Sequence, residues 1–267
     1  MKNMDSILLP IIRNAGSIML RAQNIESGDS VSEKGGDCAN MVTVYDVAVQ
    51  NYLMTEIKKV IPEAFFFAEE KENNAEDLMR DHCFVIDPID GTTNFVHEYR
   101  YSCISVAVFS RGELIFAAIY DPYADEMFYA VKGGGAFLNG KPMRVADRDM
   151  AHSILAFGTC PHMKKELGEQ SFGLAYAIYS ESSDVRRPGA AALDMAHLAA
   201  GRNDMFFELL LSPWDCAAGT LLIKEAGGRV TNENGDEIDF SAPSPVFAAT
   251  PRVWDRFFEI VRSNLTK

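Results

Sequence analysis

The stretch CFVIDPIDGTTNF, Cys83 to Phe95, constrains this chain more than any other. Its four consecutive apolar residues, Cys83 to Ile86, read as a central strand buried on both faces. A buried strand must end in turn residues, and Asp87-Pro88 supplies a turn with no function attached. That reading leaves Asp90 unexplained, along with a glycine followed by Thr92, Thr93 and Asn94.

The flanking pattern assigns the remaining elements. Asp5-Ser6 offers an N-cap to a first helix in which Ile7, Ile11, Ala15, Ile18, Met19 and Ala22 recur on one face, with Pro10 near its start. A polar loop, residues 27–40, carries Glu33 and Lys34. A second helix runs from about Thr43 to Val60 and is stopped by Pro62. Asp46 stands on its otherwise apolar stripe of Val42, Val49, Leu53, Ile57 and Val60. Phe65 to Phe67 reads as a strand ending in Ala68-Glu69-Glu70. Apolar runs at 102–109, 114–120 and 127–131, separated by short turns, imply an antiparallel meander.

From about Ile154 strands and helices alternate. Ala156-Phe157, Ala177 to Ser180 and Met205 to Glu208 are strand-like, and Gly189 to Ala200 is an Ala-rich helix. Ser212-Pro213-Trp214-Asp215 opens a further helix that Gly227-Gly228 ends, and Thr250-Pro251 starts the last one. The expected architecture is therefore α+β in residues 1–148 and α/β in residues 149–267, sharing an interface because no linker composition separates them.

Composition excludes several function classes. A net charge of −13 lacks the basic footprint of a nucleic-acid or anionic-membrane binder. No apolar run is long enough for a signal peptide or membrane span. The five cysteines form no CxxC pair, which fits a reducing cytoplasm better than a disulfide framework. Gly135 to Lys141 has P-loop spacing, but Pro142 stands where a metal-holding hydroxyl belongs, so it reads as a glycine-rich hairpin loop.

What remains is a set of acids, each ending an apolar strand or opening a helix: Glu69, Asp87, Asp90 and Asp215, with Asp46 on the second helix. Each has a structural reading: Glu69 as a solvated strand end, Asp215 as half of a capping box, Asp46 as a helix N-terminal acid. Converged, they behave differently. Two carboxylates ~4 Å apart repel by about 4 kcal/mol at an effective dielectric of 20, so such a site must protonate or bind cations. Carboxylates plus a backbone carbonyl suit Mg²⁺, and the Gly91-Thr92-Thr93-Asn94 turn can aim amides at an anion. Metal beside an anion nest suits phosphoryl transfer.

These residues resemble the inositol monophosphatase family, within the lithium-sensitive, Mg²⁺-dependent sugar-phosphatase superfamily. DPIDGTTNF, Asp87 to Phe95, is similar to its most specific signature. Trp214 to Gly219, followed by Glu225-Ala226-Gly227-Gly228, is similar to its second. The resemblance implies a layered αβαβα fold, with an antiparallel sheet in the first half and a mixed sheet in the second. It implies two or three Mg²⁺ ions, held by Glu69, Asp87 and the Ile89 carbonyl, and by Asp87, Asp90 and Asp215. Thr92, with Asp46 and Glu69, resembles the group that orients and deprotonates the attacking water. Asp90, Gly91, Thr92, Gly189, Ala190, Ala191, Glu208 and Lys34 match substrate-contacting positions.

The implied activity is a cytoplasmic, homodimeric phosphomonoesterase acting on a small polyol phosphate, inositol 1-phosphate first. Sibling substrates are fructose 1,6-bisphosphate, NADP, histidinol phosphate and 3′-phosphoadenosine phosphate, the last disfavoured by Thr93-Asn94. A metal-dependent binding protein without turnover is the reading from another class. Three positions depart from the family pattern: Ala68 for Gly, Asn40 for an acid, and Ala190 for Ser or Thr.

Overall fold

The computed structural model describes residues 4–22, 25, 30–34 and 41–265, so Asn40 lies outside the described residues. Helices α1 (Met4–Arg21) and α2 (Val44–Val60) flank a short antiparallel pair, β1 (Val31–Glu33) and β2 (Met41–Thr43). α1 buries Leu8, Ile12, Ala15, Gly16 and Met19, so the expected face is off by about one residue, and Ile7 is exposed. Gly16 accounts for the rotation: a Cβ there would stand 2.5 Å from the Tyr120 ring, so the bare glycine is what lets the helix approach the sheet. Val60 likewise leaves the buried stripe of α2.

A seven-stranded sheet follows. It contains β3 (Phe65–Ala68), β4 (Cys83–Asp90), β5 (Cys103–Ser110), β6 (Glu113–Asp121), β7 (Glu126–Val131), β8 (Gly135–Leu138) and β9 (Lys141–Met143), in that spatial order. A short helix, α3 (Thr92–Val96), lies between β4 and β5. From β4 onward the sheet is the expected antiparallel meander, whereas β3 lies parallel to β4. β8 and β9 close a hairpin over Asn139-Gly140, both at positive φ, as a two-residue hairpin turn requires.

The second half contributes β10 (Ile154–Phe157), α4 (Lys164–Tyr179), β11 (Asp184–Arg186), α5 (Ala191–Ala199), β12 (Met205–Leu211), α6 (Pro213–Glu225), β13 (Arg229–Thr231), β14 (Ser244–Ala249) and α7 (Trp254–Leu265). The five strands order as β11-β10-β12-β14-β13, the first three parallel and the rest antiparallel, a mixed sheet. Ala177 to Ser180 is not a strand. Tyr179 ends α4, whose Ser171, Leu174, Ala175 and Ile178 are buried at helical spacing, and that longer period overrides the short apolar run Ala177 to Tyr179.

Three cores hold five layers together, α1 and α2, the first sheet, α5 and α6, the second sheet, then α4 and α7, with the middle core covering both sides of α5 and α6. Phe84 and Ile86 join the core under α1 and α2, while Cys83 and Val85 join the one under α5 and α6. β4 is apolar without alternation because both its faces are covered. Among the described residues no helix is long and apolar enough to cross a membrane.

Candidate active site

The opening strand does not stop at Asp87. β4 runs on to Asp90 and pairs Asp87 with Ser105 and Asp90 with Cys103, so three steps on one strand face two on the other. That extra residue is a bulge. In a regular strand, residues three apart point to opposite faces; the bulge brings Asp87 and Asp90 back to the same one. Pro88 sits inside it, where a missing N–H breaks no ladder bond. Ile89 accordingly falls with Ile86 in the opposite core.

Neighbouring elements bring the other acids to that face. β3 is parallel to β4 with Ala68 beside Ile86, and Glu69 N–H donates to the Ile86 carbonyl at 3.1 Å, which sets Glu69 alongside Asp87. Asp215 enters from the first turn of α6, its Oδ2 accepting from Ser212 N–H at 2.7 Å. Asp215 thus completes a helix start and also lines, with Glu69 and Asp90, one cleft of about 790 Å³. Burial raises the Asp87 carboxyl well above its ordinary pKa, and the charges of Glu69, Asp90 and Asp215 raise it further. Asp215 is raised by burial, then by Glu69 and Asp90. Among the described residues no three acidic, cysteine or histidine side chains are already closed around one ion position.

Asp90 has a second duty. Its Oδ1 and Oδ2 accept from Ala191 N–H at 3.2 Å and Ala192 N–H at 2.7 Å, capping α5 from across the interface. Ala190, the N-cap residue, has no side-chain acceptor to do so, and its departure from Ser or Thr is compensated there. The Ala191 amide is therefore turned to Asp90.

Past the bulge, Gly91 adopts φ +84°, and a Cβ there would meet Ala190 Cβ at 3.0 Å and the Tyr101 carbonyl at 3.1 Å. Only glycine suits that turn. Thr92 begins α3, whose first-turn amides have no carbonyl behind them. The Thr92 hydroxyl donates to the Ile89 carbonyl at 3.1 Å and lies 3.5 Å from Asp46 Oδ1. Asp46 is fully buried; its Oδ2 accepts from Thr43 N–H at 2.7 Å and from Thr43 Oγ1 at 2.5 Å. Burial pushes its pKa up to about 7 against those two bonds. Lys34 Nζ contacts Glu69 at 2.7 Å and Glu70 at 2.6 Å.

The far wall comes from the second sheet. Glu208 does not end its strand, as β12 continues to Leu211 through an irregularity after Glu208. Its Oε1 accepts from Cys160 N–H at 3.0 Å, and the carboxylate fills the space a Gly158 side chain would take. Gly189, at φ +95°, lies beside Arg187. Cys160, Arg187 and the buried Asp194, which accepts from Tyr101 Oη at 2.7 Å, also line the cleft and were not singled out by sequence. An aspartate inside the apolar run AALDMAHLA was the available signal for Asp194. Cys160 and Arg187 carried none.

A sequence profile described as the inositol monophosphatase family matches residues 1–265. The Escherichia coli K12 protein called Nus factor SuhB is 37% identical over 269 residues, covering 100% of this chain and 98% of that protein. The extragenic suppressor protein suhB from Bartonella henselae superposes with a TM-score of 0.87 at 32% identity, over 96% of this chain and 97% of that one. A Thermotoga maritima IMPase gives 0.86 at 29%, over 100% and 99%.

Proposed function

The chain belongs to the inositol monophosphatase family, and on that premise we propose that it is a Mg²⁺-dependent phosphomonoesterase for a small polyol phosphate, with inositol 1-phosphate the best-fitting candidate. The observation that carries this reading is the β4 bulge, which sets Asp87 and Asp90 on one face beside Glu69 and Asp215 and directly before the Gly91 turn. Buried carboxyls raised by one another's charge fit a divalent cation, and their hard oxygens fit Mg²⁺. Held by Glu69, Asp87, Asp90, Asp215 and the Ile89 carbonyl, Mg²⁺ would supply Lewis acidity and charge neutralisation for an in-line displacement.

The chain's own groups do the rest. Gly91 and Thr92 amides bind the phosphate oxygens. The Thr92 hydroxyl, between the Ile89 carbonyl and Asp46, orients the attacking water. Asp46 Oδ1 takes the proton that this relay delivers, a role suited to a carboxyl whose pKa lies near 7. Glu208, fixed by Cys160, accepts hydrogen bonds from polyol hydroxyls.

Phosphate release from a panel of cyclitol, sugar and nucleotide phosphates, with Mg²⁺ or with chelator, tests the proposal. Mg²⁺-dependent release, fastest on a polyol phosphate, is expected. No release from any substrate would sink the enzymatic reading and favour a role of the kind named for the Escherichia coli relative.

A further inference from the structure

The far wall of the cleft carries positive charge that the proposed reaction does not use. Arg187 lies across the bare face of Gly189: a Cβ on Gly189 would stand 2.7 Å from Arg187 Nη1. Gly189 in turn backs the phosphate turn, its carbonyl 3.2 Å from where a Gly91 Cβ would be. Gly189 thus lies between the guanidinium and the turn, and Arg187 and Gly91 line the same cleft. Arg187 Nη2 donates to Thr159 Oγ1 at 2.8 Å, which ties it to the loop leading to Cys160. Lys164, at the start of α4, lines the same cleft. Among the described residues neither cation forms an ion pair, in a chain of net charge −13 where Arg148, Arg202 and Arg256 are all paired to carboxylates. Glu208 and Asp194 feel the charge of Arg187 without reaching it. The cleft, about 790 Å³, also has more room than one phosphorylated ring fills.

We propose that Arg187, with Lys164 lining the same cleft, forms a subsite for a second anionic group, so that polyol phosphates carrying a phosphate or carboxylate besides the one cleaved bind more tightly than their monophosphate partners. This deepens the phosphomonoesterase reading and rests on it for which phosphate occupies the Gly91 turn. Guanidinium suits the task because its planar fork meets an oxyanion with two parallel hydrogen bonds.

The test is equilibrium binding of two ligand pairs, inositol 1-phosphate with inositol 1,4-bisphosphate and fructose 1-phosphate with fructose 1,6-bisphosphate. Ca²⁺ replaces Mg²⁺, so the measurement does not depend on turnover. The wild-type chain is expected to bind at least one bisphosphate about tenfold or more tighter than its monophosphate partner, the ratio a charged hydrogen bond gives. Arg187→Ala should bring that ratio to within about twofold, and Arg187→Lys should keep part of it. A purely structural role for Arg187 lowers both affinities together and leaves the ratio in place. No preference in the wild-type chain, or a preference unchanged in Arg187→Ala, overturns the subsite. Failure of the phosphatase reading shows separately, as absence of phosphate release.

Discussion

The two irregular strands that border the cleft, β4 and β12, hold their acids in opposite electrostatic situations. On β4, Asp87 and Asp90 crowd against Glu69 and Asp215, and Asp87 is raised first by burial and then by like charge. On β12, Glu208 is also raised by burial, but an amide and a thiol of Cys160 and the charge of Arg187 all ease it. The first arrangement is unfavourable until a cation arrives; the second is already satisfied. On the proposed function one wall serves the rate and the other the choice of substrate, and substitutions should divide accordingly.

The largest effect is expected on β4. Asp90→Asn should lower turnover on the order of 10³-fold on every phosphate ester, because it removes a ligand charge. The fold should persist, since relief of repulsion offsets the weaker cap on α5, and circular dichroism with steady-state kinetics checks both. Near-normal turnover in the folded variant would remove the β4 acids from the chemistry.

Thr92→Ala should lower kcat on the order of 10²-fold with little change in KM, since the proposed phosphate contacts are backbone amides that survive the change. A change confined to KM would move Thr92 to the binding side. Glu208→Ala should cost about 1.5–3 kcal/mol in kcat/KM on a polyol phosphate and almost nothing on p-nitrophenyl phosphate. Equal losses on both would erase the contrast between the walls.

The smallest effect concerns stability. Burial, then the charge of Arg202, lowers the His197 pKa to about 4. A depressed group contributes stability that is complete above the unfolded value of ~6.5 and is lost as pH falls toward the folded one. Between pH 7.5 and 5.5 the wild-type chain should lose about 1 kcal/mol more than His197→Gln in urea unfolding. Parallel losses in the two proteins would show that His197 is not held neutral.

Much of β4 was legible and much of β12 was not, for a physical reason. The acids near β4 end apolar runs, so strand pattern and turn chemistry locate them, but the strand was expected to turn at Asp87-Pro88, and the bulge that carries it on to Asp90 was not read. Their common face was still invisible, because it depends on pairing with Cys103 and Ser105, roughly 43 to 65 Å of extended chain away. Cys160 and Arg187 reach the cleft only through the parallel pairing of β10 with β12 and β11, a long-range register that local sequence does not record. α4 hid for a related reason: its buried positions are spread over two turns, and a four-residue window saw only Ala177 to Ser180.

The most direct measurement is a Mg²⁺ titration of the wild-type chain and Asp90→Asn by calorimetry, with phosphate release followed over the same concentrations. Saturable binding in the wild-type chain, about tenfold or more weaker in Asp90→Asn, with release rising along the wild-type binding curve, is the expected result. Identical binding in the two proteins, or release that continues undiminished in excess chelator, would contradict a cation site built by the β4 bulge.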